Sequence, residues 1–533
     1  MKGVFAAALV ALAGFEAADA CTGMYVGKKV SATGATLIGR TEDLSNHLFL
    51  KRTAVRPRVE NAPGRVARGR LGFSWPLPAT TWKYVCTPAV TSNGHGDFAA
   101  IGINEKGLAL TATVTGYVRR DVLEVEPQVP EGLAEESITG LIAASCASAK
   151  EAVDLIAAVV AKAGVREPSI IMIADPKEAW WVETYCGHQW AAVRMPEDKV
   201  AVFGNEFQIR GFDPADPNFR GSPELVSLPE RKGLLVRAAD GRPDIFRTYS
   251  GRHTDYGHIR TWFGHRAFAP SSAGDYATEA ELPQFYAPDR RIGIGDIFEL
   301  MRSRYEGTEW CPETTGRKDV RVIGDEAQVT CHVLEVRDDG PAELACTAWT
   351  TPSASEHSVF LPISAAVAEA DPSFARDSAE GAAPCAYDPE IASARFRRLV
   401  ALAEVDRRRD GDGIRAYWHD CEKALLSAEP HVRAEALRLY RESPVRAAAF
   451  LTARVRALEA AAVADAKTLF NALMWERVAD NSARRYKQDY EELVLKPYDP
   501  RKPFVPDRRA LRLLPLVTAT PDGPTGLTAG VSD

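Results

Sequence analysis

Residues 21–46 read CTGMYVGKKVSATGATLIGRTEDLSN, and this stretch predicts how the chain around it is organised. Two apolar runs flank a segment rich in Ser, Thr and Gly, which is typical of a β-hairpin. Arg40 and Asp43 follow Cys21 by 19 and 22 residues, so a hairpin of this length returns them to the side of Cys21. A cation there lowers the pKa of a thiol, and a carboxylate accepts a charge-assisted hydrogen bond from an amine. By itself, an Arg-x-x-Asp pair is also typical of a solvated ion pair after a strand.

The residues before Cys21 read MKGVFAAALVALAGFEAADA, which has the pattern of a signal peptide. A lysine, a short apolar run and the small-residue end Ala18-Asp19-Ala20 fit a cleaved leader, and the run is too short to span a bilayer. Cleavage after Ala20 would give Cys21 a free α-amine beside its thiol. Because such an amine has a reference pKa of about 7.7–8.0, it can act as base for the thiol. We therefore expect 1–20 to be a signal peptide or propeptide, Cys21 to be the nucleophile, and the mature protein to be exported to the periplasm, the cell surface or the medium.

Three other interpretations of Cys21 stay open. A lipoprotein signal would acylate this cysteine and block both its amine and its thiol, although Ala18 and Asp19 fit that signal poorly. Alternatively, Cys21 is half of a disulfide, or it is internal because no cleavage occurs. The chemical state of the terminal amine distinguishes these cases from the nucleophile.

The bulk composition argues against several classes of protein. The 533 residues are 46% hydrophobic and 26% charged, which allows a sizeable core, and the formal net charge of −7 argues against a nucleic-acid partner. No apolar run after the leader approaches the roughly 18 residues of a transmembrane helix, so we expect no membrane span.

The eight further cysteines are widely spaced without a CxxC pair, which argues against a structural zinc site. Cys311, Cys331 and Cys346 are candidates for disulfides in an oxidising compartment, unless all eight are buried thiols.

The pattern along the chain predicts a mixed core followed by helices. Residues 21–363 contain short β-rich runs broken by Gly, Pro, Asp or Asn. Within them, apolar residues at helical spacing over 137–164, interrupted near Ser148, predict two helices. Residues 364–387 are rich in Ala, Asp, Ser and Pro and are predicted to be a linker or loop. The pattern over 388–500 is helical, and 517–533 are predicted to be a disordered tail.

Four blocks of sequence carry a resemblance to a known family. They are CTGMYVGKKVSATGATLIGRTED, INEKGLALTATVTG, IADPKEAWWVETYCGHQWAAVRMP and FGNEFQIR, in that order. Together they resemble the dipeptidase-A-like family of cysteine peptidases, relatives of the secernins, within the N-terminal nucleophile hydrolases. RTWFGHRAFAPS, WTTPSASEHSVFLP and the C-terminal helical region extend the likeness over roughly 21–495. The opening Cys-Thr-Gly and the Gly-Arg-Thr-x-Asp turn also resemble bile-salt hydrolases and penicillin V acylases.

The resemblance implies a role for each matching residue. Cys21 matches the nucleophile whose own amine is the base, and Arg40 and Asp43 match the pair that flanks it in the acylase relatives. Asn205 matches the asparagine that helps to stabilise the oxyanion. Arg321 lies where those relatives place a second active-site arginine. They also carry another asparagine where this chain has Thr111, Ala112 and Thr113, so backbone N–H groups are expected to complete the oxyanion hole.

The implied fold is α+β: a four-layer αββα sandwich, with two antiparallel sheets between helical layers and a helical C-terminal portion. The implied function is a dipeptidase that acts on a small peptide substrate through a thioester, with no metal or organic cofactor. One alternative is an acylase of the bile-salt hydrolase or penicillin V acylase type. Another is a non-catalytic surface lipoprotein acylated at Cys21, because a fold does not guarantee an activity. The sequence leaves a homo-oligomer open.

Two histidines and three tryptophans are predicted to have structural rather than functional roles. His253 and His258, in HTDYGH, suggest metal ligands, but no carboxylate follows at a metalloprotease spacing, so they are predicted to be surface or loop histidines. Trp180, Trp181 and Trp190 lie in β-rich segments, where indoles are more often part of the core than of a substrate cleft.

Overall fold

A computed structural model of the chain describes residues 21–46, 48–69, 71–93, 97–114, 116–277, 281–383, 386–485 and 502–518. The predicted leader, Cys385, residues 486–500 of the predicted helical region and residues 519–533 of the predicted tail lie outside the described residues. Among the described helices, none combines the length and the hydropathy needed to cross a bilayer.

The strands of the described chain are mostly short. They are β1 (Thr22–Val26), β2 (Thr36–Asp43), β3 (Ala54–Arg56), β4 (Val59–Glu60), β5 (Val66–Arg68), β6 (Ser74–Pro76), β7 (Thr80–Thr81), β8 (Tyr84–Pro88), β9 (Ala99–Asn104), β10 (Ala109–Val114), β11 (Ser169–Ala174), β12 (Ala179–Thr184), β13 (Trp190–Arg194), β14 (Val200–Phe203), β15 (Phe219–Gly221), β16 (Gln328–Val336), β17 (Cys346–Thr350) and β18 (Leu361–Ser364). A six-stranded sheet has the order β14-β1-β2-β16-β17-β18, and an eight-stranded sheet has the order β15-β13-β12-β11-β10-β9-β8-β3. Both are antiparallel throughout, and β4 with β7 and β5 with β6 form two small ribbons.

The helices become long only towards the C-terminus. They are α1 (Arg120–Val125), α2 (Glu135–Ser145), α3 (Ala149–Ala163), α4 (Ser227–Arg231), α5 (Ile245–Tyr249), α6 (Asp255–Phe268), α7 (Ile294–Arg302), α8 (Pro312–Thr315), α9 (Pro372–Ala375), α10 (Ala392–Ala403), α11 (Asp412–Glu442), α12 (Pro444–Arg485) and α13 (Leu513–Thr518). Short 3₁₀ or π turns cover Thr91–Asn93, Ala342–Leu344, Ser355–His357, Glu404–Asp406, Arg407–Gly411 and Arg508–Ala510.

Three large apolar cores separate four layers, which confirms the predicted α+β sandwich. The middle core lies between the two sheets and joins Tyr25 and Ile38 of the six-stranded sheet to Met172 and Trp181 of the other. A second core packs α2 and α3 on the outer face of the eight-stranded sheet. The third packs α6, α7, α10, α11 and α12 on the outer face of the six-stranded sheet. The C-terminal helices are therefore part of the outer layer of the sandwich.

The predicted hairpin is confirmed as β1 and β2. Its side chains alternate between two cores, because successive residues of a strand point to opposite faces of the sheet. Met24 and Leu37 face the helical layer, whereas Tyr25 and Ile38 face the other sheet. This double burial explains why Met24–Val26 and Leu37–Ile38 are apolar without polar alternation and why their register is fixed. The second half of β2 instead carries buried polar side chains: Arg40, Thr41, Glu42 and Asp43.

The predicted pair of helices forms, and regular structure also forms in the predicted loop and at the start of the predicted tail. The two helices predicted over 137–164 are confirmed as α2 and α3, and the Ser148 side chain starts the second by accepting a hydrogen bond from the Glu151 N–H at 3.2 Å. Within 364–387, α9 forms, and Val367 and Phe374 are buried. At the start of the predicted tail, α13 extends through Thr518.

The candidate disulfides are wrong for the described cysteines. Cys311, Cys331 and Cys346 are all free, buried thiols. Cys331 lies in the core beneath the helical layer, and Cys346 lies in the core between the sheets. The two thiols lie on opposite faces of one sheet, so they cannot meet.

Candidate active site

Cys21 lies directly before β1, which lies between β14 and β2 in the six-stranded sheet. Gly23 pairs with Arg40 on β2 and with Phe203 on β14, so both neighbouring strands bring side chains towards the start of β1. A Cβ atom on Gly23 would lie 2.1 Å from the Phe203 ring, which explains the glycine of the Cys-Thr-Gly opening. The strand register therefore fixes Cys21 beside β2 and β14.

Arg40 links the Cys21 thiol to a carboxylate that the sequence analysis did not predict. Its Nη1 atom lies 3.4 Å from Cys21 Sγ and 3.0 Å from Oε1 of Glu135, at the start of α2. All three residues are buried. Burial raises the pKa of the Cys21 thiol to about 11, and the positive charge of Arg40 opposes this rise. The thiol is therefore protonated at neutral pH, and its reaction needs a base.

A second carboxylate holds Arg40 from the other side. Glu42 Oε1 lies 3.7 Å from Arg40 Nη2 and 3.0 Å from Lys51 Nζ, and these side chains are at most 3% exposed. Burial lowers the pKa of Lys51. Moving the Arg40 guanidinium away would leave the buried carboxylates without a compensating charge, which costs free energy. The ion cluster therefore holds this guanidinium beside the Cys21 thiol.

Asp43 and Arg321 form an ion pair with each other. Arg321 Nη2 donates to Asp43 Oδ2 at 2.9 Å, and Arg321 also pairs with Asp325. Burial raises the pKa of the Asp43 carboxyl to about 7, while Arg321 and Arg260 oppose the rise. The charge of Asp43 also acts to raise the pKa of the Cys21 thiol. The two residues lie together near the thiol, and their catalytic roles stay predictions.

Asn205 is held by an arginine that the sequence analysis did not assign. Arg260, on α6, donates from Nη2 to Asn205 Oδ1 at 2.6 Å and from Nη1 to the Cys21 carbonyl at 2.5 Å. A guanidinium only donates hydrogen bonds, so the amide oxygen must face Arg260. Asn205 Nδ2 then donates to the Val114 carbonyl at 3.0 Å. Arg260 is the first residue of the RTWFGHRAFAPS block, which was the one available signal for it.

Thr113 occupies the region where the acylase relatives carry a second asparagine. Its side chain hydrogen-bonds to the Cys21 thiol and acts to lower the pKa of that thiol. The neighbouring Thr111 faces His332, with 3.0 Å between Thr111 Oγ1 and His332 Nε2. Burial lowers the pKa of His332 well below its ordinary value, so this ring is neutral. A threonine hydroxyl therefore lies at the Cys21 thiol.

The structure corrects one side-chain prediction and confirms another. His258 is a buried residue of α6 rather than a surface or loop histidine, while His253 lies in the preceding loop with a side chain 14% exposed. Both face Glu206. The three tryptophans Trp180, Trp181 and Trp190 are buried in the cores, as predicted.

The chain is similar to a family of peptidases and to curated proteins described as probable dipeptidases. The sequence model of Peptidase family C69 matches residues 20–387. A relative described as "Probable dipeptidase B" from Streptococcus pyogenes serotype M1 is 30% identical over 358 residues, covering 64% of this chain and 71% of the relative. A "Probable dipeptidase" from Salmonella dublin is 30% identical over 360 residues, covering 66% and 82%.

Two solved structures are also similar in part. The penicillin V acylase from Agrobacterium tumefaciens matches with a TM-score of 0.31 and 15% identity, over 64% of this chain and 86% of the acylase. A mutant of the conjugated bile acid hydrolase from Clostridium perfringens matches with a TM-score of 0.26 and 12% identity, over 67% and 95%.

Proposed function

Because the chain belongs to peptidase family C69, we propose that it is an exported dipeptidase whose nucleophile is the Cys21 thiol and whose base is the Cys21 α-amine. The family match and the dipeptidase relatives confirm the resemblance drawn from the four blocks and make the chain a peptidase. One observation carries the finer proposal: Arg40 Nη1 lies within reach of both Cys21 Sγ and a buried carboxylate, Glu135. Export is supported by the pattern of residues 1–20.

The first step is attack by sulfur on the scissile carbonyl carbon. The thiol starts protonated, because burial raises its pKa to about 11. The neutral α-amine of Cys21 takes the thiol proton as the S–C bond forms, and the Arg40 guanidinium stabilises the negative charge that develops on sulfur. Asn205, with its oxygen on Arg260, has a second N–H on Nδ2 that can donate to the oxyanion.

The second half of the reaction reverses the proton transfer. The tetrahedral intermediate collapses, the C–N bond breaks, and the Cys21 ammonium gives its proton to the leaving amine. A thioester of the first substrate residue remains on Cys21. Water then attacks the thioester with the α-amine again as base, which releases the free acid and restores the thiol. The original thiol proton leaves on the amine product and a proton from the attacking water replaces it, so the cycle balances without a metal or redox partner.

Replacing Asn205 by alanine is expected to lower kcat by about 10²–10³-fold with a small change in KM, because an oxyanion donor acts mainly in the transition state. The measurement is steady-state hydrolysis of one dipeptide. Asn218→Ala is the matched control, since Asn218 is an exposed loop residue whose side chain contacts Asp216. Equal kcat values for the two variants would remove Asn205 from the mechanism.

A dipeptidase must recognise the free α-ammonium group that lies next to the scissile carbonyl, and Glu135 is placed to do this. Its carboxylate shares one guanidinium nitrogen with Cys21 Sγ, so the carboxylate and the nucleophile lie close together. The Glu135 side chain is 11% exposed. A carboxylate beside the nucleophile favours a free amine over an N-acyl group, which is the supporting reason for a dipeptidase over an acylase.

Glu135→Gln is expected to raise KM for a free dipeptide by about 10–100-fold, because a charged hydrogen bond to the ammonium is lost. The KM of the same dipeptide with an acetylated N-terminus should stay unchanged. Burial raises the pKa of Glu135 to about 7, so the wild-type KM for the free dipeptide should rise as pH falls through about 7, whereas the variant should show no such rise.

Two comparisons make this test specific. Glu136→Gln alters the next residue of α2 and should keep the wild-type KM at every pH. A wild-type protein that turns over N-acyl amides better than free dipeptides would favour the acylase activity instead. A protein with a blocked Cys21 amine and no turnover of either substrate would favour a binding protein.

A further inference from the structure

Three side chains converge beside the candidate active site without a role in the proposed chemistry. Glu206 follows Asn205 in the loop after β14, His253 lies just before α6, and His258 lies in the first turns of α6. The Nδ1 atom of His253 lies 3.0 Å from Glu206 Oε2, and the Nδ1 atom of His258 lies 3.6 Å from the same oxygen. One ligand atom from each residue lies within 4.8 Å of the other two.

We infer that Glu206, His253 and His258 form a binding site for one divalent transition metal of the zinc class. Two imidazoles and a carboxylate are a donor set that zinc takes in proteins, with a fourth position for water. Bonds of about 2.0–2.2 Å in a tetrahedron place neighbouring donor atoms about 3.4 Å apart. The observed separations of 3.0 and 3.6 Å from Glu206 bracket that value, and the histidine nitrogens lie within 4.8 Å of each other, so side-chain movements would bring the three donors to an ion.

The surroundings of the three residues support a metal site more than an ordinary hydrogen-bonded cluster. Both ring nitrogens of His258 are buried and have no hydrogen-bond partner among the described residues. Glu206 is also buried, and its second oxygen, Oε1, accepts a hydrogen bond from the Thr254 N–H at 3.0 Å, which orients the carboxylate as outer partners do in metal sites. The rings of Phe246 and Tyr276 lie against the two histidines.

The charges of the cluster also suit a cation. As metal ligands, two imidazoles are neutral and one carboxylate carries a single negative charge, which leaves a net positive charge on a bound divalent ion. The partial exposure of His253 leaves a route for the ion and for a water ligand.

A metal here would connect the two segments that hold the oxyanion donor. Asn205 precedes Glu206 directly, and Arg260 lies two residues after His258 on α6. The segments are already in contact: a Cβ atom on Gly204 would lie 2.5 Å from the Gly257 carbonyl oxygen. The ion would thus fix Asn205 relative to Arg260 and Cys21, and it would not touch the reacting atoms. The inference stands whether or not the substrate is a dipeptide.

The test is zinc binding to the full mature chain in a Cys21→Ala background, because a terminal cysteine can itself bind zinc. The protein is stripped with a chelator, titrated with zinc and analysed for metal content, and its melting temperature is measured with and without zinc. We expect about one zinc ion per chain and a higher melting temperature with zinc. Cobalt should give the absorption spectrum of a four-coordinate site.

Variants identify the ligands. His253→Ala removes a partly exposed side chain, and Glu206→Gln keeps the shape of the carboxylate; each should weaken zinc binding at least about tenfold. His419→Ala is the matched control, since His419 is a partly exposed histidine outside the cluster whose Nε2 lies 3.2 Å from Glu299 Oε1. This variant should bind zinc as the parent does. Absence of zinc binding by the folded parent, or full binding by His253→Ala, would overturn the inference.

Discussion

Replacing Cys21 by alanine is expected to lower kcat/KM for dipeptides by at least about 10⁴-fold while the protein stays folded, because the substitution removes the only atom that forms the thioester. Cys21 lies at the start of β1, and its loss deletes one sulfur atom without altering the strand register or the buried charge of Arg40. The measurement combines steady-state hydrolysis of a dipeptide with thermal unfolding.

Two comparisons isolate the effect of the nucleophile. Cys346→Ala deletes another buried thiol, on β17, and should keep wild-type turnover. Cys21→Ser should keep a trace of activity, since a hydroxyl is a poorer nucleophile but the amine remains. Turnover by Cys21→Ala within a factor of about ten of the wild type would remove Cys21 from the mechanism.

Blocking the α-amine of Cys21 is expected to lower kcat by about 10²–10⁴-fold although the thiol remains. A single glycine placed before Cys21 turns the amine into an amide nitrogen, which cannot accept a proton. Because burial raises the pKa of the thiol to about 11, sulfur then has no base near neutral pH. Dipeptide turnover and the rate of alkylation by iodoacetamide should fall together.

A removable extension provides the control. A chain with a protease site directly before Cys21 should be inactive before cleavage and gain activity as cleavage exposes the amine. Full activity of the uncleaved chain would show that another group is the base. Asp43 and Glu135, whose pKa values burial raises to about 7, would then be the residues to examine.

The features that depend on neighbouring residues could be predicted from the sequence. The strands β1 and β2 are close in sequence, since β1 ends at Val26 and β2 begins at Thr36. The short turn and the apolar pattern of the two strands therefore fix the register that pairs Arg40 with Gly23. The break between α2 and α3 was visible because Ser148 is a good N-cap residue. The family resemblance added Asn205, which no local pattern singles out.

The remaining parts of the site depend on long-range contacts that no spacing reveals. Arg260 reaches Cys21 across 239 residues, and Glu135 reaches Arg40 across 95 residues. The ligand set of the inferred metal site was missed because its carboxylate, Glu206, precedes the histidines by about 50 residues, whereas metalloprotease motifs place ligands on one helix. The disulfide candidates failed for a similar reason, since the sequence does not tell which face of a buried strand a cysteine occupies.

The most direct test of the central claim is the N-terminal sequence and intact mass of the active protein recovered from an exporting host. We predict an active chain that begins at Cys21 with an unmodified amine and thiol, which would place the nucleophile and its base on one residue. Activity in a chain that begins at Met1, or in one that carries a lipid on Cys21, would contradict the claim.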